Sequence, residues 1–241
     1  VAIVGDSAPG TETNTTFHRF SVPTINQLGQ VAFKGEVTGP GLNPWTDVGI
    51  WSEGTGELSL VARGADAAPG TPPLSVYRLF SDPFLSNTGH ITFFGRLRFT
   101  DGAPLVNDVG IWSNKSGSLS LVAREGNLAP DTPNGTTFSS FSTHGPVSDL
   151  LVNPSGDLVF TASMSGPGIE SKPNNVGIWS MSQDSLGLLT RVNDPAPGTP
   201  DGIIFGSDLH TIPTFGVPVL NESGQTAFAA SLRGPGINFS N

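Results

Sequence analysis

There is no cysteine in the 241 residues, which removes disulfides, thiolate nucleophiles and cysteine-based zinc sites together. Charge is scarce as well. Asp, Glu, Lys and Arg make up 13% of the chain, against a usual share of about 25%. The balance is negative, with 11 Lys and Arg against 20 Asp and Glu and a net charge of −9. Such a surface has no electrostatic grip on nucleic acid or an anionic bilayer, and neither is expected as a partner. No apolar run approaches the roughly 20 residues of a spanning helix, so no membrane insertion is expected in this segment. Val1 is neither an initiator Met nor the start of a signal-like stretch, and the chain reads as a mature product or a fragment.

What is plentiful is Gly (31) and Pro (21), together about a fifth of the chain, with Ser and Thr supplying another fifth. That stays under the roughly 25–30% Gly and Pro that marks low-complexity disorder, and 36% hydrophobic residues still allow a packed core. Low charge with abundant Ser, Thr and Gly points to an extracellular or cell-surface setting.

The chain is self-similar, the first property to look for in a sequence. Gly-Ile-Trp-Ser occurs at Gly49–Ser52, Gly110–Ser113 and Gly177–Ser180. An Ala-Pro-[Gly/Asp]-Thr phrase occurs four times, with prolines at Pro9, Pro69, Pro130 and Pro197. A third marker, an Asn-x-x-Gly turn before an apolar strand, ends at Gly29, Gly89, Gly156 and Gly224. From each Gly-Ile-Trp-Ser to the next proline is 20 residues in all three copies, and only the proline-to-glycine leg varies, 20, 20, 26 and 27. The extra length falls in loops within 133–152 and 200–219, where binding functions concentrate.

Each unit reads as β. Val31, Phe33, Gly35 and Val37 share one parity and Lys34 and Glu36 the other, with counterparts Ile91, Phe93, Gly95, Leu97 and Leu158, Phe160, Ala162, Met164. Alternation of this kind puts one face in a core and the other in water. The small residue at the third inward position suggests a neighbouring sheet or backbone approaching closely. A less regular strand is built on Phe17/Phe20, Val76/Leu79/Phe80, Phe138/Phe141 and Phe205. Ala-Pro-Gly-Thr fits a type II turn, from which Asp131 departs in the third copy. The fold class expected is all-β, made of tandem four-stranded units of about 60 residues and β-propeller-like, with an open or stacked β-array as the alternative. The whole chain, 1–241, is read as a single repeat domain, with units near 1–48, 49–109, 110–176 and 177–241.

The two ends suggest assembly. Val1 falls inside the strand that elsewhere follows Gly-Ile-Trp-Ser, and Asn241 stops before a fourth such motif. Unpaired strand edges recruit other chains, and a non-closing head-to-tail contact makes a filament. The expected partner is therefore the chain itself, through Val1, Ala2, Ile3, Val4, Ile237 and Phe239.

Ile25-Asn26-Gln27-Leu28-Gly29-Gln30-Val31-Ala32-Phe33 and Leu220-Asn221-Glu222-Ser223-Gly224-Gln225-Thr226-Ala227-Phe228 resemble the NxxGxxAF tandem repeats of bacterial exported surface proteins, the choice-of-anchor repeat family. The likeness covers essentially the whole chain. Ser86 replaces the Asn in the second copy, and Thr92-Phe93 and Val159-Phe160 replace Ala-Phe in the second and third. The resemblance implies export and repeat architecture, and no catalysis.

Candidate sites are few. Asp6, Asp66, Asn127 and Asp194 stand before the proline turns, and Asp47, Asp108 and Asn175 before the Gly-Ile-Trp-Ser motifs. Oxygen ligands of this kind could hold Ca²⁺, although Asp and Asn commonly serve only to cap turns. No cofactor is otherwise expected. Arg63, Arg124 and Arg191 lie three residues before those first acids and read as ion-pair or carbonyl contacts. His18, His90, His144 and His210 share no repeat position. There is no Gly-x-Ser-x-Gly elbow, His-Glu-x-x-His pair or phosphate loop, so no enzyme is expected. Trp51, Trp112 and Trp179 read as packing residues, and Trp45, alone in an Asn-Pro-Trp loop, as an exposed ligand contact. Glycosylation sequons fall at Asn14, Asn114, Asn134, Asn221 and Asn238. The function expected is a non-enzymatic structural protein that self-associates into a filament or surface layer, with polysaccharide binding and glycan-acting catalysis as alternatives.

Overall fold

A computed structural model describes residues 2–102, 106–141, 150–170, 175–207 and 214–237. Among them there are strands and turns and no α-helix. The first sheet contains β1 (Thr16–Phe20), β2 (Thr24–Ile25), β3 (Val31–Thr38), β4 (Val48–Ser52) and β5 (Ser59–Arg63). The second contains β6 (Ser75–Phe80), β7 (Phe84–Leu85), β8 (Ile91–Phe99), β9 (Val109–Ser113) and β10 (Ser120–Arg124). The third contains β11 (Thr137–Phe141), β12 (Leu150–Val152), β13 (Leu158–Ser165), β14 (Val176–Ser182) and β15 (Ser185–Arg191).

The three sheets share one antiparallel order: β1-β3-β4-β5, β6-β8-β9-β10 and β11-β13-β14-β15. The two- or three-residue strands β2, β7 and β12 pair with β3, β8 and β13. Each sheet thus has five strands rather than four, and Gly-Ile-Trp-Ser is an inner strand of each. After them come β16 (Ile204–Phe205) paired with β19 (Leu232–Arg233), and β17 (Val219–Leu220) paired with β18 (Thr226–Ala227). No closed barrel or propeller is found among the described residues. The chain divides into two compact units, residues 1–124 with 154–156, and 125–153 with 157–241.

Each full sheet is organised around its tryptophan. Trp51 shares a face with Gly49, two residues earlier, and Gly49 is the cross-strand partner of Gly35. The indole lies over this glycine pair. A methyl group on Gly35 would meet the ring at 3.2 Å, and one on Gly49 would meet both the ring and Ala62 O at 2.9 Å, so Gly35 makes room for the tryptophan and Gly49 for the tryptophan and the neighbouring strand's backbone. Phe33 stacks on the ring at 6.2 Å and 17°, Phe17 meets it edge-on at 5.0 Å, and Trp51 Nε1 donates to Pro9 O at 3.0 Å. Trp112 repeats this with Phe93, Tyr77 and Pro69 O, and Trp179 with Phe160, Phe138 and Pro130 O. The proline turn is thereby fastened to the buried indole, whose N–H needs an acceptor once it is out of water.

A β-bulge explains the irregular strand. The register of β1 on β3 shifts between Phe17 and Arg19, leaving His18 unopposed, and the same shift recurs at Arg78 and Ser139. The extra residue resets the pleat, so residues three apart, Phe17 and Phe20, come to one face with their rings 5.1 Å apart. In the second sheet Tyr77 takes the place of Phe17, and Leu79, read as part of that apolar set, is exposed. Asp131 keeps the left-handed conformation (φ 60°) that Gly10, Gly70 and Gly198 adopt in the other proline turns, and its carboxylate accepts the Leu188 N–H at 3.1 Å.

The expectation of one watered face fails in all three sheets, since Ile50, Ile111 and Ile178 are buried as fully as Trp51, Trp112 and Trp179, and within each unit stacking is the reason. In the first compact unit Ala32, Val48, Ile50 and Ala62, on the face of the first sheet opposite Trp51, form one apolar cluster with Tyr77, Phe80, Ile91, Phe93 and Trp112 of the second sheet. Lys34, on the same parity as Ala32, reaches Phe80 O at 3.4 Å and Asp82 at 3.4 Å. In the second unit Val159 and Ile178 of the third sheet cluster likewise with Phe205, Phe215, Phe228 and Leu232. Both Ile and Trp of each Gly-Ile-Trp-Ser motif are therefore fully buried.

Candidate functional site

The Asn-x-x-Gly turns form one candidate surface. Asn26 Oδ1 accepts the Leu28 and Gln30 N–H groups, and Gly29 takes φ 77°. The Asn26 Nδ2 donates to Gln30 Oε1 and also to Ser86 O of the next turn at 2.9 Å, and Asn87 Oδ1 accepts the Gln27 N–H. In the second unit Asn153 Nδ2 donates in the same way to Asn221 O at 2.9 Å. The asparagine holds its own turn and joins it to the following one.

Stacking makes equivalent positions differ in exposure. Phe80 and Ile91 of the second sheet are buried in the cluster that Ala32 and Ile50 complete, and Leu85 packs against it. Their counterparts in the first sheet are more open: Phe20 and Val31 are only part-buried, and Ile25 is 69% exposed, flanked by exposed Val22 and Leu28. At the other end Ala227 and Ala229 are exposed, whereas Ala32 and Val159, the counterparts of Ala227, are fully buried.

A second candidate is a cleft of about 310 Å³ lined by Glu12, Pro40, Gly41, Leu42, Thr46, Arg63, Gly64, Ala65 and Asp66. The buried Arg63 guanidinium donates to Glu12 Oε2 at 2.7 Å and, through Nε, to Thr46 O at 2.8 Å. The Arg63 backbone N–H donates to Asp66 Oδ2 at 3.1 Å. Burial raises the Asp66 carboxyl above its ordinary range, against the lowering effect of the Arg63 N–H and charge. A bond from its own backbone, then Arg63, lowers that of Glu12. Tyr77 is pushed far up by burial and then by the Asp66 charge, and its hydroxyl has no hydrogen-bond partner. Trp45, beside the cleft-lining Thr46, is 44% exposed and carries the Arg78 and Arg98 guanidiniums over its ring at 5.2 and 5.9 Å.

The residues singled out from the sequence scatter across the described structure. Asp6, Asp66 and Asp194 each accept the backbone N–H three residues before them, from Ile3, Arg63 and Arg191. Asp47, Asp108 and Asn175 accept strand N–H groups through their backbone carbonyls. Among the described residues no three His, Cys, Asp or Glu cluster as a metal site would require. Arg191 pairs with Asp194, as the spacing suggested, whereas Arg63 turns to Glu12 and Arg124 to Asn107 O. His90 meets Thr88 Oγ1, and His144 and His210 lie outside the described residues.

Among the sequons, Asn14 and Asn134 are exposed in turns, Asn114 Oδ1 accepts the Ile91 N–H, and Asn221 Nδ2 is engaged by Gln225 Oε1. Asn238 lies outside the described residues. Of the assembly residues, Ala2 packs against the first aromatic cluster and Ile237 against the last, Ile3 and Val4 are exposed, and Val1 and Phe239 are not described. Residues 2 and 3 form no strand, unlike their counterparts 62 and 63, whose strand β5 pairs with β4.

Sequence reading missed Glu12 and the two arginines at Trp45. Glu12 did leave a signal, since Pro72, Pro133 and Pro200 occupy its position in the other copies. The arginines left none, because only the stacking of two sheets brings them to the indole.

These features define an all-β protein of stacked antiparallel sheets joined by Asn-x-x-Gly turns. The chain belongs to a family of unknown function, DUF7453, whose pattern matches residues 1–173 and 143–241. No curated protein matches it.

Proposed function

We propose that the chain is an exported, non-enzymatic scaffold that lengthens by stacking on copies of itself. The observation that carries this reading is the exposure difference between equivalent positions. The surface of the second sheet at Phe80, Leu85 and Ile91 is covered by the opposite face of the first sheet. The same surface of the first sheet, at Phe20, Ile25 and Val31, stands open, and so does the Ala227–Ala229 face that matches the covering one. A second copy offering that face would reuse contacts the fold already makes, including an Asn221 side chain over the Asn26 turn as Asn26 lies over Ser86. Each large apolar side chain fully covered contributes about 1.5–3 kcal/mol, and the contact is heterologous, so it repeats from copy to copy and makes a filament where the rotation does not close a ring. Export is supported by the low charge, the abundance of Ser, Thr and Gly and the likeness to exported surface repeats.

Sedimentation velocity over a range of concentrations tests it. The chain is expected to grow in mass with concentration, and Ile25→Glu with Leu28→Glu to remain monomeric. A wild-type chain that is monomeric throughout would overturn the proposal.

A further inference from the structure

We infer that Trp45, Arg78 and Arg98, with the adjoining cleft, form a binding site for an acidic saccharide, a sugar bearing a carboxylate or sulfate group. The two guanidiniums converge on one indole, 5.2 and 5.9 Å from its centroid. Neither is in an ion pair among the described residues, and the Nε atom of each is buried without a hydrogen-bond partner. In a chain of net charge −9, Arg19, Lys34, Arg63 and Arg191 have carboxylate partners, and Arg124 and Arg233, whose Nε atoms are also buried and unbonded, donate instead to Asn107 O and Asn193 Oδ1. Like charges held together with unused donors match a missing anion, and the planar guanidinium fork suits carboxylate or sulfate oxygens.

Arg78 is the unopposed residue of the β6 bulge, a device that re-aims a side chain. Arg98 lies on the neighbouring strand β8, and Trp45 on the loop between β3 and β4. The site therefore exists only where two sheets stack, a common place for ligand pockets.

The rest of the ligand is read from the cleft. Thr46 follows Trp45 directly, and the cleft-lining Ala65 donates its N–H to Tyr77 O, next to Arg78, at 2.8 Å. Glu12 and Asp66 offer carboxylate oxygens to hydroxyl donors, while Arg63 is already occupied by Glu12 and Thr46. The half-exposed indole offers a flat apolar surface to the C–H face of a sugar ring. A ligand with one anionic group on a hydroxyl-rich body fits this division. A densely charged polyanion such as nucleic acid does not, because the surrounding surface is negative.

The test is titration calorimetry of the full chain with oligogalacturonate, a sulfated galactose oligomer, the neutral galactose oligomer and oligoglutamate. One of the acidic sugars is expected to bind, identifying the anionic group, with the neutral oligomer and the peptide weaker by about tenfold or more. Arg78→Gln and Arg98→Gln should each lose about tenfold, roughly one charge-assisted contact, and Trp45→Ala should abolish binding. Arg19→Gln, which removes an exposed guanidinium paired with Glu36 and outside the site, should leave it unchanged. Far-UV circular dichroism and the thermal midpoint show whether each variant is folded. Binding by neither acidic sugar, equal binding of the neutral oligomer or of oligoglutamate, or folded arginine variants that bind as wild type would each overturn the assignment. Monomeric or assembled protein serves equally, so this result is independent of self-association.

Discussion

The fit between indole and glycine in the third sheet can be tested by a double-mutant cycle. Gly177 is not in the left-handed region, so an alanine suits its backbone. The added methyl, however, would sit 2.7 Å from Trp179 Cη2, with the flexible Leu188 Cδ1 next at 3.1 Å. Ordinary contact begins near 3.4 Å, so the ring must move by about 0.7 Å in a close-packed core. It is held by Phe160 stacked at 6.1 Å, Phe138 edge-on at 4.9 Å and the 3.2 Å bond to Pro130 O.

Overpacking costs about 1–3 kcal/mol and a strained hydrogen bond about 1 kcal/mol. Loss of glycine freedom in the unfolded chain returns about 0.4–1 kcal/mol, so Gly177→Ala should destabilise by about 2 kcal/mol. In a Trp179→Phe background the methyl meets no indole, and Gly177→Ala should be neutral or slightly stabilising. The coupling expected is about 2 kcal/mol, read from urea unfolding followed by far-UV circular dichroism so that losing a tryptophan does not alter the probe. A coupling under about 0.5 kcal/mol, the ordinary scatter of independent sites, would refute the claim that glycine is there to admit the ring.

Two further perturbations follow from the second sheet and the cleft. Tyr77→Phe removes a buried hydroxyl without a partner, at a position where Phe17 and Phe138 stand in the other sheets. It should raise stability by about 1 kcal/mol, and a lower thermal midpoint would contradict the packing. Burial raises the Asp66 carboxyl in the folded chain above its ordinary 3.8, so its contribution is greatest when protonated and is lost as pH rises from 3.8 through the raised value. Asp66→Asn keeps an acceptor for the Arg63 N–H, as Asn127 stands at this position in the third copy. Relative to wild type, its stability should improve as pH rises through that window, and a parallel pH profile for the two chains would show that the cleft does not desolvate the Asp66 carboxyl.

The alternation Val31–Phe33–Gly35–Val37 made the strand legible, and the recurring Gly-Ile-Trp-Ser and proline phrases made the equivalence of the three sheets legible. Phe17 and Phe20 looked irregular because a three-residue spacing matches no simple pleat, and the bulge that resolves it leaves no residue signature. Parity could sort Ile50 from Trp51 onto opposite faces, but it could not tell whether a second sheet covers the outer one. Contacts made by stacking stayed hidden for the same reason. Trp45 was visible as an unusual loop residue, while Arg78 and Arg98 reach it only after the first sheet has docked on the second. Glu12 and Arg63 are 51 residues apart, and a lone acid among prolines was their only trace.

Within each unit one sheet's outer face covers the next sheet's aromatic face, and the proposed assembly repeats that contact between copies. In the first unit Ala32 and Leu85 meet in one cluster, and Ala227 and Ile25 occupy the corresponding positions on the two open surfaces. Because the chain has no native cysteine, Ile25→Cys combined with Ala227→Cys gives an unambiguous cross-linking probe. Mild oxidation followed by non-reducing electrophoresis and mass spectrometry should yield a ladder of covalent oligomers, each link a disulfide from position 25 of one copy to position 227 of the next. Monomer alone, or links only between like positions, would contradict the account.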